Sequence, residues 1–226
     1  GINIGAFLAP ITCGAIGQDP NLGVNAWHYG FGLAGIGMLL GQLVFMWGQK
    51  YLKGVGEFIG KNDNPEKDLM NKPLTKIEKD RVLVLLLSFL IVIVFWGAFE
   101  QAGGLMNIYA FEKTNRFVES INFEVPATWF QSLNAGFIVL FAVAVGKFWS
   151  WWKSLGKESA LLFQMAVGVI IMAFGFFFMS AASIEFQENG SSAMYWLVLA
   201  YLFHTLGELC TSPTAMALIT KLAPLK

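Results

Sequence analysis

Charged side chains are scarce in this sequence of 226 residues. Only 13% of the residues are Asp, Glu, Lys or Arg, whereas 56% are hydrophobic. Soluble domains carry about 25% charged residues, so the deficit argues against a soluble domain and predicts an integral membrane protein. The formal net charge is zero, which means that no overall field attracts nucleic acid or acidic partners.

Residues that hold metals or perform covalent chemistry are also few. The two cysteines, Cys13 and Cys210, lie far apart in apolar segments and predict buried thiols rather than a disulfide framework or a metal site. There are only two histidines, and the zinc-protease, serine-hydrolase and phosphate-binding loop motifs are absent from the sequence. We therefore expect no enzymatic activity, no metal site and no cofactor.

What the sequence does contain is a series of apolar segments. A bilayer-spanning helix needs about 20 mostly apolar residues. Five segments reach that length and a shorter one precedes them: 1–15, 28–48, 82–111, 127–149, 160–182 and 194–218. They predict an all-α, polytopic bundle of membrane helices. Because residue 1 is Gly and no polar stretch precedes the first segment, we expect this sequence to be a piece of a longer chain.

The basic residues indicate which connections face the cytoplasm. Every second connection between the predicted spans is poor in basic residues, and together these connections contain only Lys113 and Arg116. All other Lys and Arg residues fall in the connections 50–81 and 147–157 or at the end of the sequence. This imbalance satisfies the positive-inside rule and predicts that the sequence starts and ends on the cytoplasmic side.

Two local patterns predict details of the bundle. Thr75 followed by Glu78 has the spacing of a capping box, which predicts that a helix begins near Lys76, before the apolar run. Gly37 and Gly41 have the spacing of a small-residue pair, which predicts a close contact between membrane helices.

Glu100 is an acid in an apolar context. It follows residues 82–94, in which a single side chain is polar. An ionised group at the bilayer centre costs about 2.5–3.5 kcal/mol. Helical spacing places this acid on one stripe with Trp96, Gly104 and Asn107. We expect the stripe to face protein or a watery cavity rather than lipid.

Glu208 is a second such acid, near the middle of the last segment at about 1.5 Å per residue. It shares a helix face with His204 and Ser212, and Asn3 and Asn134 add amides to two other segments. Each of these groups also has a purely structural interpretation, as half of an ion pair, an interhelical hydrogen bond or a buried histidine. Paired carboxylates in a helical bundle favour a carrier that binds a charged solute and moves protons.

Four motifs occur in an order typical of a known family. They are GINIGAF at 1–7, FWxxFEQAG at 95–103, WFQSLN at 129–134 and LGELxxSP at 206–213. Through them the chain resembles the proton-dependent oligopeptide transporter (POT) family of the major facilitator superfamily, along nearly its whole length.

The resemblance implies a fold in which this chain supplies helices five to ten of a twelve-helix transporter. Residues 1–48 would end the N-terminal bundle, 49–81 would form a cytoplasmic linker and 82–226 would begin the C-terminal bundle. Three departures from the family pattern are visible, one of them at Thr214-Ala215-Met216, where members often have Val-Gly-Leu. Ala135 stands where members often have Pro, and the linker is too short for the two extra helices that some bacterial members insert.

The resemblance also implies a function, the symport of di- and tripeptides with protons across the cell membrane by alternating access. Glu100 would be the acid whose protonation is coupled to gating, and Glu208 would receive the amino terminus of the peptide. The residues implied to bind peptide are Asn3, Trp96, Asn134, Glu208 and Ser212. The expected partners are peptide, protons and the lipid bilayer, and no nucleic acid.

Two alternatives stay open at this point. A related major facilitator carrier could transport nitrate or another organic anion through the same fold. A membrane scaffold or the subunit of a membrane enzyme could retain both acids for structural reasons alone.

Overall fold

The computed structural model describes residues 1–19, 22, 26–52, 73–157 and 160–223. Seven α-helices lie within these residues: α1 (Ile2–Gly17), α2 (Trp27–Gly48), α3 (Lys76–Phe99), α4 (Leu105–Glu112), α5 (Trp129–Ser154), α6 (Leu161–Asn189) and α7 (Met194–Leu222). Four two-residue strands accompany them: β1 (Thr114–Asn115), β2 (Phe117–Val118), β3 (Phe123–Glu124) and β4 (Ser192–Ala193). The prediction of an all-α bundle is confirmed.

Four stretches of the described chain are long and apolar enough to cross a membrane: Trp27–Tyr51, Lys76–Glu112, Trp129–Ser154 and Leu161–Asn189. Helix α7 has 29 residues, as many as α6, but it falls outside this set. It carries four buried polar residues: His204, Thr205, Thr211 and Thr214. The fifth predicted span, 194–218, is thus a helix of sufficient length whose polar side chains are covered by protein and lower its hydropathy.

The third helix begins where the capping pattern predicts. The side chain of Thr75 accepts a hydrogen bond from the backbone of Glu78 at 3.3 Å, and the Glu78 carboxylate accepts one from the backbone of Thr75 at 2.7 Å. These reciprocal bonds satisfy two of the N–H groups that a helix start leaves without partners. Most of the linker, residues 53–72, lies outside the described residues.

The predicted helix over residues 82–111 is interrupted, which corrects the expectation of one continuous helix. Helix α3 ends at Phe99, a 3₁₀ turn runs over Glu100–Ala102, and α4 begins at Leu105. Gly103 and Gly104 follow the turn, and Gly104 has φ −99° and ψ −95°, a backbone conformation outside the helical range. The helix face predicted to run from Trp96 through Gly104 therefore does not continue as one face beyond Glu100.

Helices α6 and α7 form a hairpin held together by glycines. A Cβ atom added at Gly207 would lie 2.6 Å from the Gly168 carbonyl oxygen and 3.0 Å from the Met172 Cβ. Gly190, with φ +75°, ends α6 in the left-handed conformation that glycine adopts without strain. Close backbone approach of this kind is typical of membrane helix pairs.

The close contact predicted at Gly37 and Gly41 is not found among the described residues. A Cβ atom added at either glycine meets no atom within 4 Å, because this face of α2 lies on the surface. The close approach of α2 is instead at Gly30, where an added Cβ would lie 2.7 Å from the Cys13 carbonyl oxygen of α1.

Helix α1 also packs against α5. The Ser132 hydroxyl donates to the Phe7 carbonyl at 2.7 Å, and the Trp129 indole N–H donates to the Ile11 carbonyl at 3.3 Å. A Cβ atom at Gly14 would overlap the side chain of Thr128. Segments before and after the linker are thereby in direct contact.

Short strands close one end of the bundle. Strand β1 pairs in parallel with β4, so that Thr114 lies opposite Ser192, and β2 pairs antiparallel with β3. Arg116 forms a 2.7 Å ion pair with Glu124 beside the second pair. The β1–β4 pair connects the segment after α4 to the start of α7, whereas the β2–β3 pair and the ion pair lie within the connection itself.

We expect Gly207→Ala to destabilise the protein by about 1–3 kcal/mol, because the added methyl group overpacks the contact between α6 and α7. Thermal unfolding in detergent measures the effect. Gly41→Ala is the matched control, since its methyl group would enter open space and alanine favours the helix. Equal unfolding temperatures for the two variants would contradict the packing described here.

Candidate functional site

A pocket of about 190 Å³ lies where the interrupted helix meets α5 and α7. Its lining residues are Phe99, Glu100, Ala102, Gly103, Gln131, Asn134 and Tyr201. Two residues predicted to be functional, Glu100 and Asn134, therefore share one pocket. Glu100 is exposed on the 3₁₀ turn at the edge of this space.

The second acid is joined to this pocket through Asn134. The amide Nδ2 of Asn134 donates to the Glu208 carboxylate Oε2 at 2.8 Å and to the Thr205 hydroxyl at 3.1 Å. Glu208 is half-buried and Thr205 is fully buried. This contact ties α5 to α7.

Tyr201 links α7 to the helix interruption. Its side chain is buried, and its hydroxyl donates to the Ala102 carbonyl at 2.9 Å. That carbonyl belongs to the 3₁₀ turn that carries Glu100. The backbone carbonyl of Tyr201 in turn accepts a hydrogen bond from the Thr205 hydroxyl at 2.7 Å.

A continuous series of hydrogen bonds therefore connects the surroundings of the two acids. It runs from the turn after Glu100 through Tyr201, Thr205 and Asn134 to Glu208. Neither Tyr201 nor Thr205 was among the site residues expected from the sequence. Tyr201 and Thr205 lie on the helix face of Glu208, seven and three residues before it, and that spacing is the signal that could have found them.

Trp96 lies one turn before the pocket. It is partly buried, and its ring packs edge to face against Phe99 with centroids 5.2 Å apart. Because Phe99 lines the pocket, Trp96 is connected to the pocket through its contact with Phe99. Its proposed contact with peptide stays a prediction.

Asn3 and Ser212 are farther from these contacts. Asn3 is partly buried near the start of α1, one turn before Phe7, where the hydrogen bonds to α5 begin. Ser212 is partly buried on α7, one turn after Glu208. Their assignment to the same site also stays a prediction.

His204 is buried, with 1% of its surface exposed. Its ring lies 4.5 Å from the Phe176 ring, between centroids, and against Gly175 of α6. Neither ring nitrogen has a hydrogen-bond partner within the described part of the chain. A group of three or more His, Cys, Asp or Glu side chains suited to a metal is likewise not found there.

The chemistry of this arrangement suits a solute that carries an ammonium group. A carboxylate held by an amide offers a place for an ammonium group, and the neighbouring amide and hydroxyl groups offer hydrogen bonds to a polar backbone. A second acid lies across the pocket on a turn. These groups can hold a polar solute through hydrogen bonds.

The sequence model of one family, described as the POT family, matches residues 1–71 and 66–226, which together span the chain. The chain belongs to the POT family. This POT-family protein is 30% identical to the peptide transporter YePEPT of Yersinia enterocolitica subsp. palearctica, over 99% of the chain and 54% of that protein. It is 23% identical to a di-/tripeptide transporter of Lactococcus lactis subsp. cremoris over 99% of the chain and 55% of that protein.

Solved structures give the same result. The fold matches a crystal structure of peptide transporter POT in complex with sulfate, with a TM-score of 0.77, 27% identity and coverage of 99% of this chain and 54% of the other. It also matches a mutant of peptide transporter POT in complex with alafosfalin, with a TM-score of 0.76, 28% identity and coverage of 99% and 53%. The prediction of a major facilitator fold, of which this chain forms a part, is confirmed.

The chain spans about half the length of the relatives that it matches. The alignment with the Yersinia transporter extends over 287 residues, so that relative contains residues that this chain lacks. The two parts of the family match overlap at residues 66–71, inside the predicted linker. Family membership and the apolar helices together establish a multi-pass membrane protein.

We expect Tyr201→Phe in this POT-family protein to loosen the turn that carries Glu100. The Ala102 carbonyl loses its donor, which costs about 0.5–1.5 kcal/mol or more if the carbonyl stays dry. Hydrogen–deuterium exchange over residues 100–106 measures the change and should accelerate. Tyr109→Phe is the control, because its hydroxyl donates to Ser192 instead, at 3.1 Å. Equal exchange at the turn in both variants would refute the link.

Proposed function

We propose that this chain is part of a symporter that moves di- and tripeptides together with protons across the cell membrane. The observation that carries the proposal is the Glu208 carboxylate, held by Asn134 inside an apolar bundle beside a pocket that also contains Glu100. Acids in such positions are rare and mark solute or proton pathways. The peptide transporters among the relatives support the choice of solute.

In this proposal different residues bind different parts of the peptide. Glu208 takes the amino terminus and Asn134 takes the peptide backbone. Asn3, Trp96 and Ser212 complete the walls as the two bundles come together. The site then lies between residues 1–48 and 82–226, joined by a cytoplasmic linker over 49–81, as helices five to ten of a twelve-helix carrier.

The charges near the pocket favour a peptide over an inorganic anion. Nitrate would approach two acids, Glu100 and Glu208, and like charges repel by about 1 kcal/mol or more at short range even in water. A peptide instead presents an ammonium group to one acid. For this reason we prefer the peptide to the anion that the sequence left open.

Glu100 is the proposed proton carrier because of the turn on which it lies. The 3₁₀ geometry and the two following glycines make this the place where α3 can change shape with little loss of packing. Gaining or losing a proton changes the interactions of the carboxyl group with the opposite bundle. Protonation thereby shifts the equilibrium between inward-facing and outward-facing states, which is alternating access.

We expect Glu208→Ala to lower the affinity for peptides with a free amino group by tenfold or more, since hydrogen bonds to charged groups contribute about 1.5–3 kcal/mol. Competition against a labelled dipeptide by free and amino-blocked peptides measures the loss. Glu208→Gln keeps the side-chain shape and an acceptor for Asn134, so it isolates the charge. Free and blocked peptides that compete alike in wild type and both variants would count against this role.

We expect Glu100→Gln to abolish proton-driven accumulation of peptide while sparing peptide counterflow, because the amide cannot exchange a proton. Both are measured in proteoliposomes with and without a pH gradient. Glu112→Gln is the matched control, since Glu112 ends α4 and is not among the residues that line the pocket. Intact accumulation by Glu100→Gln would exclude this acid as the coupling group.

A further inference from the structure

An open groove of about 300 Å³ lies between α5, α6 and α7, apart from the pocket that contains Glu100. All of its lining residues are uncharged. Among them are Phe141 and Phe148 of α5, Val167 of α6 and Leu206 of α7. A surface of this composition suits a hydrocarbon chain rather than a polar solute.

The groove faces away from the candidate transport site. On α7 it is lined by Leu206 and Cys210, which lie two residues before and two residues after Glu208. Two residues turn an α-helix by about 200°, so the groove and the Glu208 carboxylate lie on opposite sides of α7. A molecule in the groove therefore does not compete for the contact between Asn134 and Glu208.

The groove lies at the end of the bundle where α5 and α6 are connected. Phe148 and Trp149 line it within the last two turns of α5, which ends at Ser154. Val167 lies within two turns of the start of α6. Residues 147–157 form one of the basic regions that the positive-inside rule assigns to the cytoplasmic side. The groove thus belongs to the cytoplasmic half of the bundle.

Aromatic contacts join the groove to two lysines at this end. The ring of Phe148 packs against that of Trp152 with centroids 5.9 Å apart, and the Lys157 ammonium lies 4.3 Å from the centroid of the Trp152 ring. Lys153 follows Trp149 by one turn on the same side of α5. Both lysines are exposed, so their ammonium groups are accessible beside the groove.

The charge at this end is positive. Residues 147–158 contain three lysines and a single acid. Tryptophan side chains lie at the level of the lipid headgroups, and basic pockets between membrane helices on the cytoplasmic side bind anionic headgroups. An apolar groove with lysines at one end has the same order of groups as an anionic phospholipid, in which a phosphate is followed by hydrocarbon chains.

We propose that the groove binds an anionic phospholipid of the cytoplasmic leaflet, with an acyl chain between α5, α6 and α7 and the phosphate beside Lys153 and Lys157. Van der Waals packing holds the chain, since the bilayer itself is as apolar as the groove. The lysines select the headgroup by charge. The competing occupant is a helix from another part of the longer carrier, which would fill the apolar groove but would not account for the lysines.

The test compares phosphatidylglycerol with phosphatidylcholine of identical chains, by native mass spectrometry of the intact protein expressed from its gene. We expect the wild type to bind phosphatidylglycerol more tightly, by about fivefold for each lysine beside the phosphate. The double variant Lys153→Gln/Lys157→Gln should lose this preference. The matched control is Lys76→Gln/Lys79→Gln, which removes the same charge from two exposed positions at the start of α3 and should keep the preference.

A second pair of variants tests the acyl chain. Ala144→Phe places a ring in the groove and should abolish saturable binding of phosphatidylglycerol. Ala142→Phe is its control, because Ala142 is exposed on α5 and is not among the lining residues. Ala144→Met provides a smaller replacement should phenylalanine prevent folding, and it should also weaken binding.

Equal affinity of the wild type for the two lipids overturns the inference, as does a preference that survives the loss of both lysines. Unchanged binding by both Ala144 variants also overturns it, since the groove is then filled by protein or the lipid contacts the lysines alone. Displacement of the lipid by an equal concentration of glycerol phosphate would overturn the acyl site in the same way. Because the groove lies away from Glu208, each of these results leaves the proposed peptide transport standing.

Discussion

The hydrogen bond from Asn134 to the Glu208 carboxylate is the interaction on which the rest of this structure depends. A carboxylate removed from water loses its hydration, and without a donor it would be excluded from an apolar bundle. Asn134 supplies the donor from α5, so α5 and α7 must lie side by side at this level. Buried apolar residues nearer the starts of α5 and α7, among them Phe130 and Leu197, share one cluster. This polar contact and the apolar cluster together hold α5 against α7.

The parts of the fold that depend on local sequence could be predicted. Residues 127–149 and 160–182 differ from observed helices α5 and α6 mainly by polar turns at their ends, because bilayer thickness sets the length of an apolar segment. The start of α3 followed from Thr75 and Glu78 alone, since a capping box uses only neighbouring residues. Glu100 and Glu208 drew attention as acids in apolar segments and Asn134 through the family motif, and the roles of all three stay predictions.

The remaining features depend on how helices meet. Glu100 and Gln101 and the two glycines, Gly103 and Gly104, follow Phe99, but the apolar pattern resumes at Leu105, so hydropathy alone predicted one continuous helix across the interruption. Thr205 and Tyr201 are ordinary residues in an apolar helix, and they become hydrogen-bond partners only because α7 lies close to α5 and to the turn. Likewise, the glycine spacing at Gly37 and Gly41 resembles that of a true contact, but helix approach requires a partner on the same face.

The two ends of the interrupted helix are both attached to α7. At one end, Leu85 of α3 shares a buried cluster with Leu218, and at the other, the strand after α4 pairs with the strand before α7. With both attachments in place, a change in axial length must be absorbed between them, at Glu100–Ala102 and the glycines. A 3₁₀ helix rises about 2.0 Å per residue and an α-helix about 1.5 Å, so rewinding those three residues shortens the segment by about 1.5 Å. Glu100 would then rotate about the helix axis as these three residues rewind.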